Sequence, residues 1–284
     1  MTTLSRRVPA PAYFGISAVF HYLGPAFAVL LFAQVDVLGV AWLRIASAAV
    51  VFAVWRRPWR LVRHLTREQR RVLLGLGVVL AAMNATFYLA IARLPLATVG
   101  AIEFLGTIVL AAIGVRSGRN AIALVLAVGG VAALTDIQLA GQPLGFVFAF
   151  ANCALFTLYV ILGHRIANTG AGLSGIDQLG AAMLIATVAA TPFCVGAAPA
   201  LTDPAALLAG AGVGICSSVI PYVTDQLAMA RLRRNTFALM LSILPAVATA
   251  IGITVLAQVP TLQELTGIAL IACGVAVHQE RRGH

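Results

Sequence analysis

From residue 12 to residue 279 the chain is a succession of apolar runs, each about twenty residues long, broken by short polar or basic punctuation. A helix of that length crosses the hydrocarbon core of a bilayer, and a helix bonds its own backbone where no water can. Turn and charge signals divide the sequence into ten expected spans: 12–33, 37–55, 72–92, 95–115, 120–139, 144–163, 176–197, 205–230, 235–257 and 262–279. They use nearly all of the 284 residues and leave no room in this chain for a sizeable extramembrane domain. Charged residues make up 10% of the chain, against about 25% in soluble domains. A water-soluble fold is excluded, and most catalytic or nucleic-acid-binding modules go with it.

The net charge of +10 would point to nucleic acid in a soluble protein. Here the distribution gives another reading. With the N-terminus inside, seventeen of the nineteen basic residues, all arginine, fall in cytoplasmic segments. Only Arg93 lies in an outer loop and only Arg44 inside a span. So consistent a bias predicts a multi-pass protein of the cell inner (cytoplasmic) membrane, with both termini cytoplasmic. The first run follows Arg6 and Arg7 and contains Ala26-Phe27-Ala28, which resembles a cleavage site. Its length exceeds that of a signal peptide's apolar region, so it reads as a retained helix. The arginine-rich stretch 56–71 reads as an interfacial segment at lipid headgroups, not a nucleic-acid site. The four cysteines are scattered through apolar runs without metal-ligand spacing and read as small core residues.

The sequence also repeats itself. Ala90-Ile91-Ala92-Arg93-Leu94 ends the third span, and Ala228-Met229-Ala230-Arg231-Leu232 ends the eighth. The same offset sets Thr98 on Thr236 and Thr107 on Pro245. Residues 1–139 and 140–284 are therefore expected to be two copies of a five-helix unit. Five is odd, so the second copy enters the membrane in the opposite orientation. The expected fold is an all-α integral membrane protein of ten transmembrane helices, arranged as two inverted five-helix repeats around a central cavity. Secondary transporters are built this way, with the binding site near the midplane.

Within the spans, polar residues are few. Glu103 lies in the run 95–115, about 12 Å deep by helix rise. A carboxylate at that depth persists only if it is protonated, paired or facing water, and such an acid usually marks an ion or substrate path. Two readings stand: a proton-exchanging site residue, or a structural acid held by hydrogen bonds. Arg44, about 10 Å deep in the second span, either shares the level of Glu103, where the two pair or bind opposite ends of a zwitterion, or snorkels to the outer headgroups. His21, with Tyr22 beside it, is a second proton-coupling candidate, or a histidine satisfied structurally. Asn84 and Tyr88 sit one turn apart on the third span. Asn152, Phe156 and Tyr159 form a stripe on the sixth, and Ser218, Tyr222 and Asp225 another on the eighth. These stripes line a cavity or glue helices together. Asp225 reads first as an interfacial partner of Arg231. Pro25, Pro221 and Pro245 permit kinks. No nucleotide loop, metal cluster or nucleophile–base pair appears, so neither cofactor nor enzymatic activity is expected.

Several motifs together resemble the drug/metabolite transporter superfamily, EamA type, and within it the threonine and homoserine exporters of bacterial inner membranes. They are Leu43-Arg44-Ile45, Pro58-Trp59-Arg60-Leu61, the stretch 84–88, Ala101-Ile102-Glu103-Phe104-Leu105-Gly106, and Pro221-Tyr222 running on to Pro245. The resemblance covers nearly the whole chain. It implies two inverted five-helix repeats, a cavity drawn from helices one, three, four, six, eight and nine, and export of amino acids or similar metabolites. The chain departs from the exporters' pattern at four points. Gly106-Thr107 replaces Gly-Pro, Leu244-Pro245 replaces Glu-Pro, Ala257-Gln258 replaces Gly-Glu, and there is no lysine.

The expected function is export of amino acids or small amphipathic metabolites by alternating access, coupled to protons. Glu103 and His21 would handle protons. Arg44, Tyr22, Asn84, Tyr88, Asn152, Tyr159, Tyr222 and Asp225 would form the substrate site. The expected partners are a small-molecule substrate, protons and membrane lipids, with no nucleic acid and no obligate protein. An uncoupled carrier or a drug and lipophilic-metabolite exporter is the alternative. A non-transporting membrane subunit or lipid-modifying enzyme ranks behind both.

Overall fold

A computed structural model describes residues 9–106, 108–109, 117–138, 142–167, 175–229 and 243–277. Among these residues every regular element is helical. The long helices are α1 (Ala10–Leu31), α2 (Val37–Arg56), α3 (Arg67–Ile91), α4 (Leu96–Glu103), α5 (Gly118–Gln138), α6 (Pro143–Ala167), α7 (Gly175–Ala189), α8 (Pro204–Gly214), α9 (Ile220–Met229), α10 (Leu244–Leu256) and α11 (Leu262–Val277). Among the described residues, five helical stretches are long and apolar enough to cross a membrane, and a sixth is added if α7 and the bent continuation Thr191–Thr202 count as one span. The chain is a multi-pass membrane protein.

Several expected spans are broken. The fourth leaves regular α-helix at Phe104, directly after Glu103. The seventh bends by 71° where α7 gives way to a tight 3₁₀ stretch, Thr191–Ala197, with Pro192 in its first turn. The eighth is divided by a π-helical turn, Ile215–Val219, between α8 and α9. The fifth and tenth appear as α5 and α11, whose apolar segments are shorter than a full span. The start of the expected ninth span, residues 235–242 with Thr236 and Leu241, lies outside the described residues, as do Thr107 and the arginines at 231, 233 and 234.

Helix ends follow from local sequence. Asp36 accepts from the N–H groups of Leu38 and Gly39 and starts α2. Thr66 and Gln69 close a reciprocal capping box on α3. Asp203 caps α8, with Pro204 at its first position. α4 has no cap of its own. Its Leu96 N–H is taken by the Gln258 side-chain oxygen at 3.0 Å, across the fold from beyond α10. Ala257, which ends α10, is held at φ 53, in the left-handed region that glycine fills without strain.

The helices pack in pairs: α1 with α9 and α10, α2 with α7 and α8, α3 with α6 and α7, α4 with α6 and α10, and α5 with α11. Small residues allow the closest crossings. A Cβ on Gly130 would stand 2.6 Å from the Gly267 carbonyl, and one on Gly267 would stand 2.8 Å from the Gly130 carbonyl. Backbones that close exclude even alanine, the packing device of helices in lipid. Outward faces stay apolar, with Val54 76% and Val188 74% exposed, as surfaces that meet acyl chains rather than water. Threonine hydroxyls on these helices, among them Thr86, Thr157, Thr187 and Thr249, bond back to carbonyls four residues earlier. Two ion pairs join helix ends at the arginine-rich face: Arg56–Asp177 at 2.7 Å and Arg165–Glu68 at 3.0 Å.

The left-handed alanine gives a direct test. Ala257→Gly relieves that backbone strain and is expected to stabilise the protein by about 1 kcal/mol. The readout is a higher unfolding temperature in detergent.

Candidate functional site

Buried polar side chains gather where two apolar cores meet. Tyr22 and Tyr88 belong to one core, and Phe156, Tyr159 and Tyr222 pack against the other. Trp42 touches both.

Glu103 ends α4 and is 5% exposed. The Asn152 amide on α6 faces it, and Tyr22 on α1 lies within its electrostatic reach. A Cβ at Gly100, one turn before Glu103, would stand 2.9 Å from the Tyr22 hydroxyl, so the bare glycine admits that hydroxyl beside the acid. The surroundings do not satisfy the group. Glu103 Oε2, both amide atoms of Asn152, the hydroxyls of Tyr22 and Tyr88, Ser217 Oγ and the Trp42 indole nitrogen are buried, and none makes a hydrogen bond of normal geometry within the chain. Native interiors pair nearly all such atoms. Apart from the indole, these atoms come from α1, α3, α4, α6 and the π turn, and converge on one region.

Arg44, 5% exposed on α2, borders the same region but forms no ion pair with Glu103. Its Nε donates to Ser218 Oγ at 3.0 Å and its Nη2 to the Ser217 carbonyl at 3.1 Å. Its guanidinium carbon lies 5.5 Å from the centre of the Tyr88 ring, a cation–π distance. Of the expected alternatives, a direct pair with Glu103 is not formed, and the two charges stand within electrostatic reach. Arg44 does not snorkel to the headgroups, because its donors are taken inside the fold.

The remaining candidates fall into three positions. His21 is half-buried, meets the Tyr22 ring edge-on at 5.1 Å, and lies within electrostatic reach of Arg44. Tyr222, Tyr159 and Asp225 lie together, and Tyr222 is also within reach of Glu103, Arg44 and Tyr88. Asp225 faces Ser17 of α1, and its expected partner Arg231 lies outside the described residues. Asn84 stands apart: its amide donates to the Leu80 carbonyl at 2.8 Å, on its own helix. Phe156 stacks on Tyr159 and meets Phe104, the neighbour of Glu103, edge-on.

Sequence reasoning passed over Ser217, Gly100 and Ser17. A signal for Ser217 was available, since it stands four residues before Pro221, the position whose carbonyl a helical proline leaves without a donor.

Asn152→Leu removes two buried unpaired groups without losing volume. It is expected to leave stability unchanged or raise it by about 1 kcal/mol. A fall in the unfolding temperature would show that the amide is bonded after all.

No protein-family model matches the chain. It is 32% identical over 261 residues to the threonine/homoserine exporter RhtA of Escherichia coli (strain K12), a match spanning 89% of this chain and 84% of that protein. The exporter of the same name from Salmonella typhimurium (strain LT2) is 32% identical over 256 residues, spanning 88% and 82%. These relatives are named as exporters, not as enzymes. A solved crystal structure superposes with a TM-score of 0.58 at 17% identity, over 93% of this chain and 94% of that one, a likeness of fold.

Proposed function

The chain belongs to the threonine/homoserine exporters, EamA-type members of the drug/metabolite transporter superfamily, and on that premise we propose that it exports a small amphipathic amino acid across the inner membrane by alternating access. The observation that carries this reading is the convergence of unpartnered buried polar atoms around Glu103. Groups left unpaired in a low-dielectric interior are destabilising unless a solute or water engages them. An acid, an amide and hydroxyls on one side, with a guanidinium nearby, offer both acceptors and donors. That is the chemistry a small zwitterion requires. The relatives' printed names supply the first substrates to try, L-threonine and L-homoserine.

The inverted repeat is part of the same proposal. Ten helices in two units, 1–139 and 140–284, would exchange partners on rotation about an axis in the membrane. The packing supports it: α3 meets α6 and α7 in the way that α9 meets α1 and α8 meets α2, while α4 meets α10 and α5 meets α11 across the axis. A cytoplasmic N-terminus fits the arginine distribution and the two ion pairs at that face.

Proton coupling rests on Glu103, with His21 as the second group. Substrate contacts fall to Arg44, Tyr22, Tyr88, Asn152, Tyr222, Tyr159 and Asp225. Asn84, bonded to its own helix, has the weakest claim.

The test is efflux of labelled L-threonine and L-homoserine from liposomes, with and without a pH gradient. Wild type is expected to respond to the gradient. Glu103→Gln is expected to insert normally and lose the gradient-driven component at least tenfold. Efflux that is indifferent to the gradient in wild type would favour an uncoupled carrier, and unchanged behaviour of the variant would remove Glu103 from the coupling.

A further inference from the structure

The eighth expected span is held together at its centre by side chains of other helices. In the π turn the Ile220 N–H reaches back five residues to the Ile215 carbonyl. One residue later Pro221 has no N–H, so it cannot close onto the Ser217 carbonyl four residues before it. A π turn followed by a proline weakens the helical ladder at two successive places.

The loss is made good from outside. Arg44 Nη2 donates to the Ser217 carbonyl and Nε to Ser218 Oγ, both from α2. Below the turn, Ser17 Oγ on α1 donates to the Pro221 carbonyl at 3.2 Å. Close approach is possible because Gly24 of α1 lies directly against Ser217, where a Cβ would stand 2.7 Å from the Ser217 nitrogen. Gly214 lies equally close to α2, where a Cβ would stand 2.6 Å from the Arg44 carbonyl. α9 carries Tyr222 and Asp225, so whatever holds the turn also fixes where those two side chains stand.

We propose that Arg44 is a latch on this hinge: its guanidinium holds the carbonyl that Pro221 leaves free, and the carboxylate of an incoming substrate takes the guanidinium over and releases α9 to turn. The exchange runs in the right direction energetically. A guanidinium bound to a neutral carbonyl and hydroxyl gives them up for a carboxylate, which it binds with charge-assisted and bidentate geometry. The receiving position is built for an anion. The Tyr88 hydroxyl and Ser217 Oγ, both buried and without a hydrogen bond of normal geometry, lie beside each other and beside Arg44. Arg44 thereby ties recognition of a carboxylate to movement of the helix that bears Asp225. The ligand-driven step rests on the amino-acid export proposed above, whereas the latch itself does not.

The test compares wild type, Arg44→Gln, Pro221→Ala and the double variant by amide hydrogen exchange over Ile220–Met229 and by liposome flux. Arg44→Gln is expected to speed exchange at least tenfold. Adding Pro221→Ala supplies an N–H at 221 and should return exchange to near the wild-type rate, while threonine flux stays at least tenfold below wild type because the hinge is closed. A double variant that exchanges as fast as Arg44→Gln alone, or that transports like wild type, overturns the latch. In wild type, L-threonine should speed exchange in the segment, and L-threonine amide, which lacks the carboxylate, should not. Equal effects of the two, or no effect of threonine on a protein that transports it, overturn the carboxylate step. If wild-type liposomes move no threonine, the export reading falls, and rescue in the double variant by itself decides the latch.

Discussion

Inside a bilayer a polar atom has only the chain itself for a partner, and the whole structure is organised by where that demand is met. Along most helices it is met locally. Threonine hydroxyls return to carbonyls of their own turn, and the ends of α2, α3 and α8 carry side-chain caps. Where local sequence does not suffice, distant segments supply the donor or acceptor, as Gln258 does for α4 and Arg44 for the π turn. Around Glu103 the demand is not met by hydrogen bonds of normal geometry within the chain, and the proposed transport site rests on that exception.

The same constraint explains the breaks. A helix in lipid does not end or kink without something to bond the freed backbone groups. The fourth span leaves α-helix directly after Glu103, and the eighth passes through a π turn before Pro221. Both breaks border the polar cluster, where side chains from neighbouring helices can reach the backbone. Glycines do the complementary work by bringing α1 and α2 close enough to the π turn for Ser17 and Arg44 to bond there. A helix that depends on its neighbours for its own hydrogen bonds is also one that those neighbours can release.

Much of this was legible in the sequence, for identifiable reasons. Apolar runs of membrane length have a single regular solution in lipid, so α1, α2, α3 and α6 stand close to where hydropathy and charge place them. The stripe at 152, 156 and 159 follows from helical periodicity, with Asn152 beside Glu103 and Tyr159 beside Tyr222 and Asp225. Asn84 carries the same kind of signal yet bonds its own helix, because spacing says which face a residue occupies and not which way its amide turns. Arg44 was recognisable as out of place in an apolar run. Its partner was not, since the Ser217 carbonyl belongs to a segment more than 170 residues away and is freed by a proline, not by any feature of Arg44 itself.

The sequence by itself determined that the chain is helical and lies in a membrane, because composition and run length depend on each residue's own transfer energy. It also singled out Glu103 as an acid in the wrong medium. Only the tertiary structure decided which groups come together: that Arg44 turns to a carbonyl of the π turn instead of to Glu103, and that the Asn152 amide and the Tyr22 hydroxyl stand beside that acid. The reason is physical. Burial can be read one residue at a time, but a hydrogen bond needs two groups within about 3 Å, and only the folded chain brings α1, α2, α4, α6 and α9 that close together.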